Sequence, residues 1–75
     1  MHRITNRTEL VEFLNVGDDK YYLKQYAAGH WRIHNGKLMC DTETVDKRVA
    51  EAAIRDGVVK DHWKNIWGDK LYKLA

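Results

Sequence analysis

Tyr22, Lys24, Tyr26, Arg32, His34 and Lys37 all fall between Lys20 and Cys40, a stretch that holds no Asp or Glu. Lys and Arg make charge-assisted contacts with phosphate, and Tyr or His rings stack on unpaired bases, all of which offer a π face. Both kinds of side chain on one surface would form a platform for a single-stranded polyanion. The plain alternative is a solvated sheet face, where Lys, Arg and Tyr are common. A second group, Lys60, Trp63, Lys64, Trp67 and Lys70, sets two indoles among lysines. Either both Trp close a small core, or they stand out as anchors for a protein partner, Trp being enriched among interface hot spots. The lysines would then suit an acidic or phosphate-bearing partner.

Other chemistry is poorly supported. His30 and His34 have a metal-like spacing only on a helix. On a strand, at roughly 3.3 Å per residue, they lie about 13 Å apart, too far for one ion. Cys40 lacks an activating base at any arguable spacing and is expected in the core opposite Trp31. His62, beside Asp61, reads as a solvated loop residue. No motif selects an acid–base pair from the 11 carboxylates and four His, so the expectation is a non-enzymatic binding protein without cofactor, metal or small-molecule substrate.

Seventy-five residues make one domain, 1–75, with no room for a second core. The lone Cys excludes an internal disulfide and suits a reducing compartment. The first six residues contain no apolar signal segment, and no apolar run approaches the roughly 18 residues of a membrane span. A cytoplasmic protein without membrane contact is expected. Net charge is only +2, but residues 1–19 sum to −2, 20–40 to +4, 41–56 to −2 and 57–75 to +2. That clustering creates a local field a polyanion could feel.

The elements that must position these residues follow from spacing. Asn6 and Glu9 have capping-box spacing before Leu10, Phe13 and Leu14, predicting a first helix over 7–15 that Asn15-Val16-Gly17-Asp18-Asp19 stops. Lys20–Tyr26 and Trp31–His34 read as strands joined by Ala27-Ala28-Gly29. Asn35-Gly36 reads as a two-residue turn, pairing His34 with Lys37, Ile33 with Leu38, Arg32 with Met39 and Trp31 with Cys40. Tyr21, Leu23, Trp31, Ile33, Leu38 and Cys40 then face the core, and Tyr22, Lys24, Tyr26, His30, Arg32, His34, Lys37 and Met39 face outward. Asp41 or Thr42 would cap a second helix, Glu43 to about Asp56, with Val45, Val49, Ala52 and Ala53 buried and Gly57 at its C′ position. Val58-Val59-Lys60 and Lys70–Leu74 read as strands around a loop of helical character. The fold expected is α+β, in the order α-β-β-β-α-β-β, with an antiparallel sheet.

A helix closing on Ile54-Arg55-Asp56-Gly57, a strand at Val58-Val59-Lys60, a wing at 61–69 and a strand at Lys70–Leu74 resemble the second half of a winged-helix domain, as in small phage and prophage proteins. The resemblance covers about 30 residues, from Val45 to Leu74, and implies DNA binding. The 43–56 helix mixes Glu43 and Glu51 with Lys47 and Arg55, acids that phosphates would repel, so it is not expected to be the reader. The first expectation is therefore a nucleic-acid-binding or regulatory protein of bacterial or phage type, using the basic, aromatic sheet face. The second is a phage-encoded inhibitor that docks on a host protein complex, RNA polymerase or a defence effector such as CRISPR, through the Trp63–Trp67 loop. Exposed edge strands leave monomer and homodimer both open.

Overall fold

The computed structural model describes residues 3–16 and 20–75. Its elements are β1 (Arg3–Ile4), α1 (Arg7–Val16), β2 (Tyr21–Gln25), β3 (Trp31–Asn35), β4 (Cys40–Val45), α2 (Lys47–Arg55), β5 (Val59–Lys64) and β6 (Lys70–Leu74). The fold is α+β, as expected, with a short β1 added in front. One six-stranded sheet runs β1-β4-β3-β2-β6-β5. It is mixed rather than wholly antiparallel, because β1 pairs parallel with β4 while the other neighbours are antiparallel.

Asn6 caps α1 as its spacing predicts, its Oδ1 accepting the Glu9 N–H at 2.8 Å. The stop expected at Asn15–Asp19 lies partly outside the described residues, at 17–19. Leu10 and Leu14 of α1 and Ala50 and Ala53 of α2 pack with Ile4, Leu23, Ile33, Val45, Val59 and Tyr72 in one buried cluster. Among the described residues, both helices use the face of the sheet that bears these side chains. The opposite face carries every second residue of the strands and has no helix over it.

Three expectations about the middle of the chain are corrected. Asn35-Gly36 is not a two-residue turn: Asn35 pairs with Cys40 and His34 with Asp41, leaving 36–39 as the loop. Buried Asn35 organises that loop by accepting the Lys37 and Leu38 N–H groups at 3.0 and 3.1 Å. Gly36 has an ordinary φ, and the left-handed residue is Met39, at φ 55°. Gly36 instead supplies room, since a Cβ there would lie 2.9 Å from the Tyr22 ring. The longer loop turns Leu38 and Cys40 out to solvent rather than into the core, while Met39 is exposed as expected.

The second helix is the next correction. Residues 40–45 form β4, where β-branched Thr42, Thr44 and Val45 suit a strand held between β3 and β1. Helix α2 starts later, capped by Asp46 rather than Asp41 or Thr42, with the Asp46 side chain accepting the Arg48 N–H at 2.9 Å. Its buried residues are Ala50 and Ala53; Val45 is buried from β4, and Val49 and Ala52 are half-buried. Its C-terminus is as expected. Gly57 takes φ 74°, its N–H reaches the Ile54 carbonyl at 3.2 Å, and the Val58 N–H reaches Ala53 at 2.9 Å.

The third correction is at 61–69. In place of a loop with helical character, β5 continues to Lys64 and only the turn around Asn65–Asp69 interrupts the hairpin. Asn65 Oδ1 accepts the Trp67 and Asp69 N–H groups at 2.9 and 3.0 Å, and Asp69 Oδ1 accepts the Ala27 N–H at 2.9 Å. These bonds fasten the β5–β6 turn to the β2–β3 turn. No described helix is long and apolar enough to cross a membrane.

Candidate functional site

Strand register places a continuous row of side chains across the helix-free face. Arg3 pairs with Thr44, Thr44 with Arg32, Arg32 with Lys24, Lys24 with Leu71 and Leu71 with Trp63. Every strand contributes one residue. At about 4.8 Å per strand the row is roughly 24 Å long. A second, shorter row runs beside it, from Asp41 through His34 to Tyr22. Tyr22, Lys24, Arg32 and His34 thus share one face, as period-two alternation predicts. Lys37 stands on the exposed 36–39 loop.

Two bulges add residues to this face that plain alternation would send elsewhere. In β4 the pairing slips between Thr44 and Asp41, so both lie on the helix-free side. In β5 it slips between Asp61 and Trp63, so His62 and Trp63 both reach that face. His62 is exposed, as expected, but stands on β5 rather than in a loop. Its ring stacks on Tyr22 with centroids 4.7 Å apart and planes at 14°. Tyr22, His34, Met39, His62, Trp63 and Leu71 line a shallow groove of about 330 Å³.

The face is less purely basic than the stretch from Lys20 to Cys40, because β4 brings in Asp41. Asp41 Oδ1 lies 2.9 Å from His34 Nδ1 and 4.0 Å from Lys24 Nζ, with the three side chains only 12–18% exposed. Burial holds the His34 imidazole below its usual value, and the Lys24 ammonium pushes the same way. Burial raises the Asp41 carboxyl; Lys24 opposes the rise and Asp69 adds to it. A neutral His34 donating its Nδ1–H to the carboxylate satisfies all three groups, since Lys24 already supplies the countercharge. Lys24 also sits 4.5 Å from the Tyr26 ring centre, a cation–π contact. Lys24 is thus held in position, and one face of Tyr26 is taken by it.

The second residue group divides. Trp63 and Trp67 are surface residues, 55% and 75% exposed, and Ile66 between them is 92% exposed. Of the two alternatives, closure of the core by both Trp is therefore ruled out; Trp31, tilted at 35° against Tyr72 with centroids 6.0 Å apart, does that work. Lys60 and Lys64 are exposed on the outer strand of the hairpin and Lys70 is half-buried. His30 lies in the β2–β3 connection. Among the described residues, no group of three or more His, Cys, Asp or Glu could hold a metal ion.

No family model, curated protein or solved structure matches the chain. The site has to be read from its own chemistry. Its rings can stack on flat unsaturated groups, and its cations can meet negative charge. Sequence reasoning missed Asp41, His62 and Leu71 as members of this face, since the two bulges that place Asp41 and His62 leave no mark in the alternation. The β-branched residues Thr42, Thr44 and Val45 were the available signal for β4.

Proposed function

We propose that the protein binds single-stranded nucleic acid on the open face of its sheet, without catalysing a reaction on it. The observation that carries this reading is the six-strand row from Arg3 to Trp63, cationic at one end and aromatic at the other. Tyr22, His62 and Trp63 are the stacking end, where unpaired bases lie against rings. Arg32, with exposed Lys37 and Lys60 at the rim, meets the backbone phosphates. Lys24 lends its charge from within the Asp41–His34 cluster. Rings on a flat sheet need splayed bases, so duplex should bind more weakly than single strand.

The test is anisotropy of a labelled single-stranded oligomer, with Tyr22→Ala and Trp63→Ala as variants. Each removed ring should cost about 1–3 kcal/mol of binding, the usual worth of a base–aromatic stack. Unchanged affinity in both variants, confirmed folded by circular dichroism, sinks the platform.

A second reading is favoured by one separate feature, the outward Ile66 and Trp67 at the tip of the β5–β6 hairpin. Aliphatic exposure of that kind suits a protein surface, such as the host complex an inhibitor would dock on, with Trp63, Trp67 and flanking Lys60, Lys64 and Lys70 as the contacts. Ile66→Asp and Trp67→Ala distinguish the two. Loss of a protein partner that survives nuclease treatment, with oligomer binding intact, assigns the tip to protein.

A further inference from the structure

The cationic end of the row is concave. Arg3, Tyr26, His30, Arg32 and Lys47 line a cleft of about 520 Å³, which Asp41 also borders. That volume is within the range of about 300–1,000 Å³ usual for small-molecule sites. Its cations, Arg3, Arg32 and Lys47, come from three separate parts of the chain: β1, β3 and the first residue of α2. They are far apart in sequence, so the fold rather than a local charge run assembles them. The Asp41 carboxylate is already directed at His34 and Lys24. Among the described residues, Arg3 makes a long contact, 3.4 Å to Asp46, with 60% of its side chain exposed, and its planar guanidinium carries five donors. Bidentate contact with a phosphate is therefore open to it.

We propose that this cleft binds a phosphomonoester: the phosphate of a nucleotide, either free or at the end of a nucleic-acid strand. A phosphomonoester carries about −1.5 to −2 charges at neutral pH, against one for an internal phosphodiester. Two Arg and one Lys around a single pocket favour the more highly charged group. Tyr26 at the wall gives the attached base or sugar an apolar surface. The strand-end form rests on the single-strand reading, because the cleft closes the row along which that strand would lie. The free-nucleotide form does not depend on it.

The experiment compares one single-stranded oligomer carrying a 5′-phosphate, a 3′-phosphate or hydroxyls at both ends, by competition anisotropy. Adenosine monophosphate and adenosine are titrated separately by calorimetry, against the wild type and an Arg3→Gln/Lys47→Gln double variant. A phosphate at one end should tighten binding about tenfold or more, as charge-assisted bonds predict, and adenosine monophosphate should exceed adenosine by a similar factor. In the double variant both ratios should fall to about one. Equal affinity of all three oligomers, together with equal affinity of nucleotide and nucleoside, overturns the cleft while leaving strand binding intact. Binding of the monophosphate without any oligomer binding supports the cleft and removes the single-strand reading. A phosphate gain that survives in the double variant places the phosphate elsewhere and also overturns the proposal.

Discussion

Asp41, His34 and Lys24 form a charged cluster largely withdrawn from water on the open face, and it makes stability depend on pH. An unfolded chain protonates His34 near 6.5, while the folded chain does so at lower pH. The unfolded state therefore binds more protons in the interval below 6.5, and stability falls as pH drops through it towards the folded value. Asp41 acts oppositely. Its raised value makes the folded state bind more protons just above 3.8, so its contribution is lost as pH rises through the folded value. His34→Asn keeps a donor for the carboxylate but removes the titration. Urea denaturation at pH 7 and pH 5 should show the wild type losing more stability than His34→Asn; equal losses would contradict a desolvated His34. Gly36 is a second residue with a defined role. A Cβ there would lie 2.9 Å from Tyr22 Cε2 and 3.1 Å from the Lys20 carbonyl, so Gly36→Ala displaces the Tyr22 ring that stacks on His62. Oligomer affinity should fall in Gly36→Ala about as it does in Tyr22→Ala, with the fold retained. None of this pairing was legible from residue type alone, because Asp41 reads equally well as a helix cap.

At the scale of elements, local chemistry decides most boundaries. Asn6 before Leu10 and Leu14, the tyrosine-rich alternation of β2 and the Gly57 stop are all local signals, and each element appears where its signal lies. The second helix starts late for a reason of context. Thr42, Thr44 and Val45 hydrogen-bond as a strand because β3 and β1 flank them, and β1 itself is two residues long and exists only through its pairing with Val45 and Thr44. A pairing between residues 41 apart has no local signature. Asp46 is therefore the true N-cap, and the Arg48 N–H it accepts, with Arg3 alongside, holds its carboxyl below the usual range. Replacing Asp46 by Ala should cost about 1 kcal/mol of stability, measured by chemical denaturation. The same substitution at Thr42 should leave α2 intact. Asn35-Gly36 misleads for a comparable reason: the Asn side chain satisfies Lys37 and Leu38 and so supports a longer loop than the dipeptide suggests.

For the whole molecule, the arrangement that matters among the described residues is two helices on one side of a six-stranded sheet and none on the other. Core burial needs only the helix-covered face, which leaves the second face to carry Arg32, Lys24, Leu71 and Trp63 in register. The overall charge of +2 says little about this, since the positive side chains are gathered by topology rather than by number. A strand crossing the sheet would meet about four cations, and each neutralised phosphate on a single strand contributes roughly −0.7 to the salt slope. The central claim is therefore tested most directly by titrating a labelled single-stranded oligomer across a range of salt concentrations. A log–log slope of about −3, with affinity for the duplex lower at every concentration, is the predicted result. Absence of binding at low salt, or a slope near zero, would contradict the account.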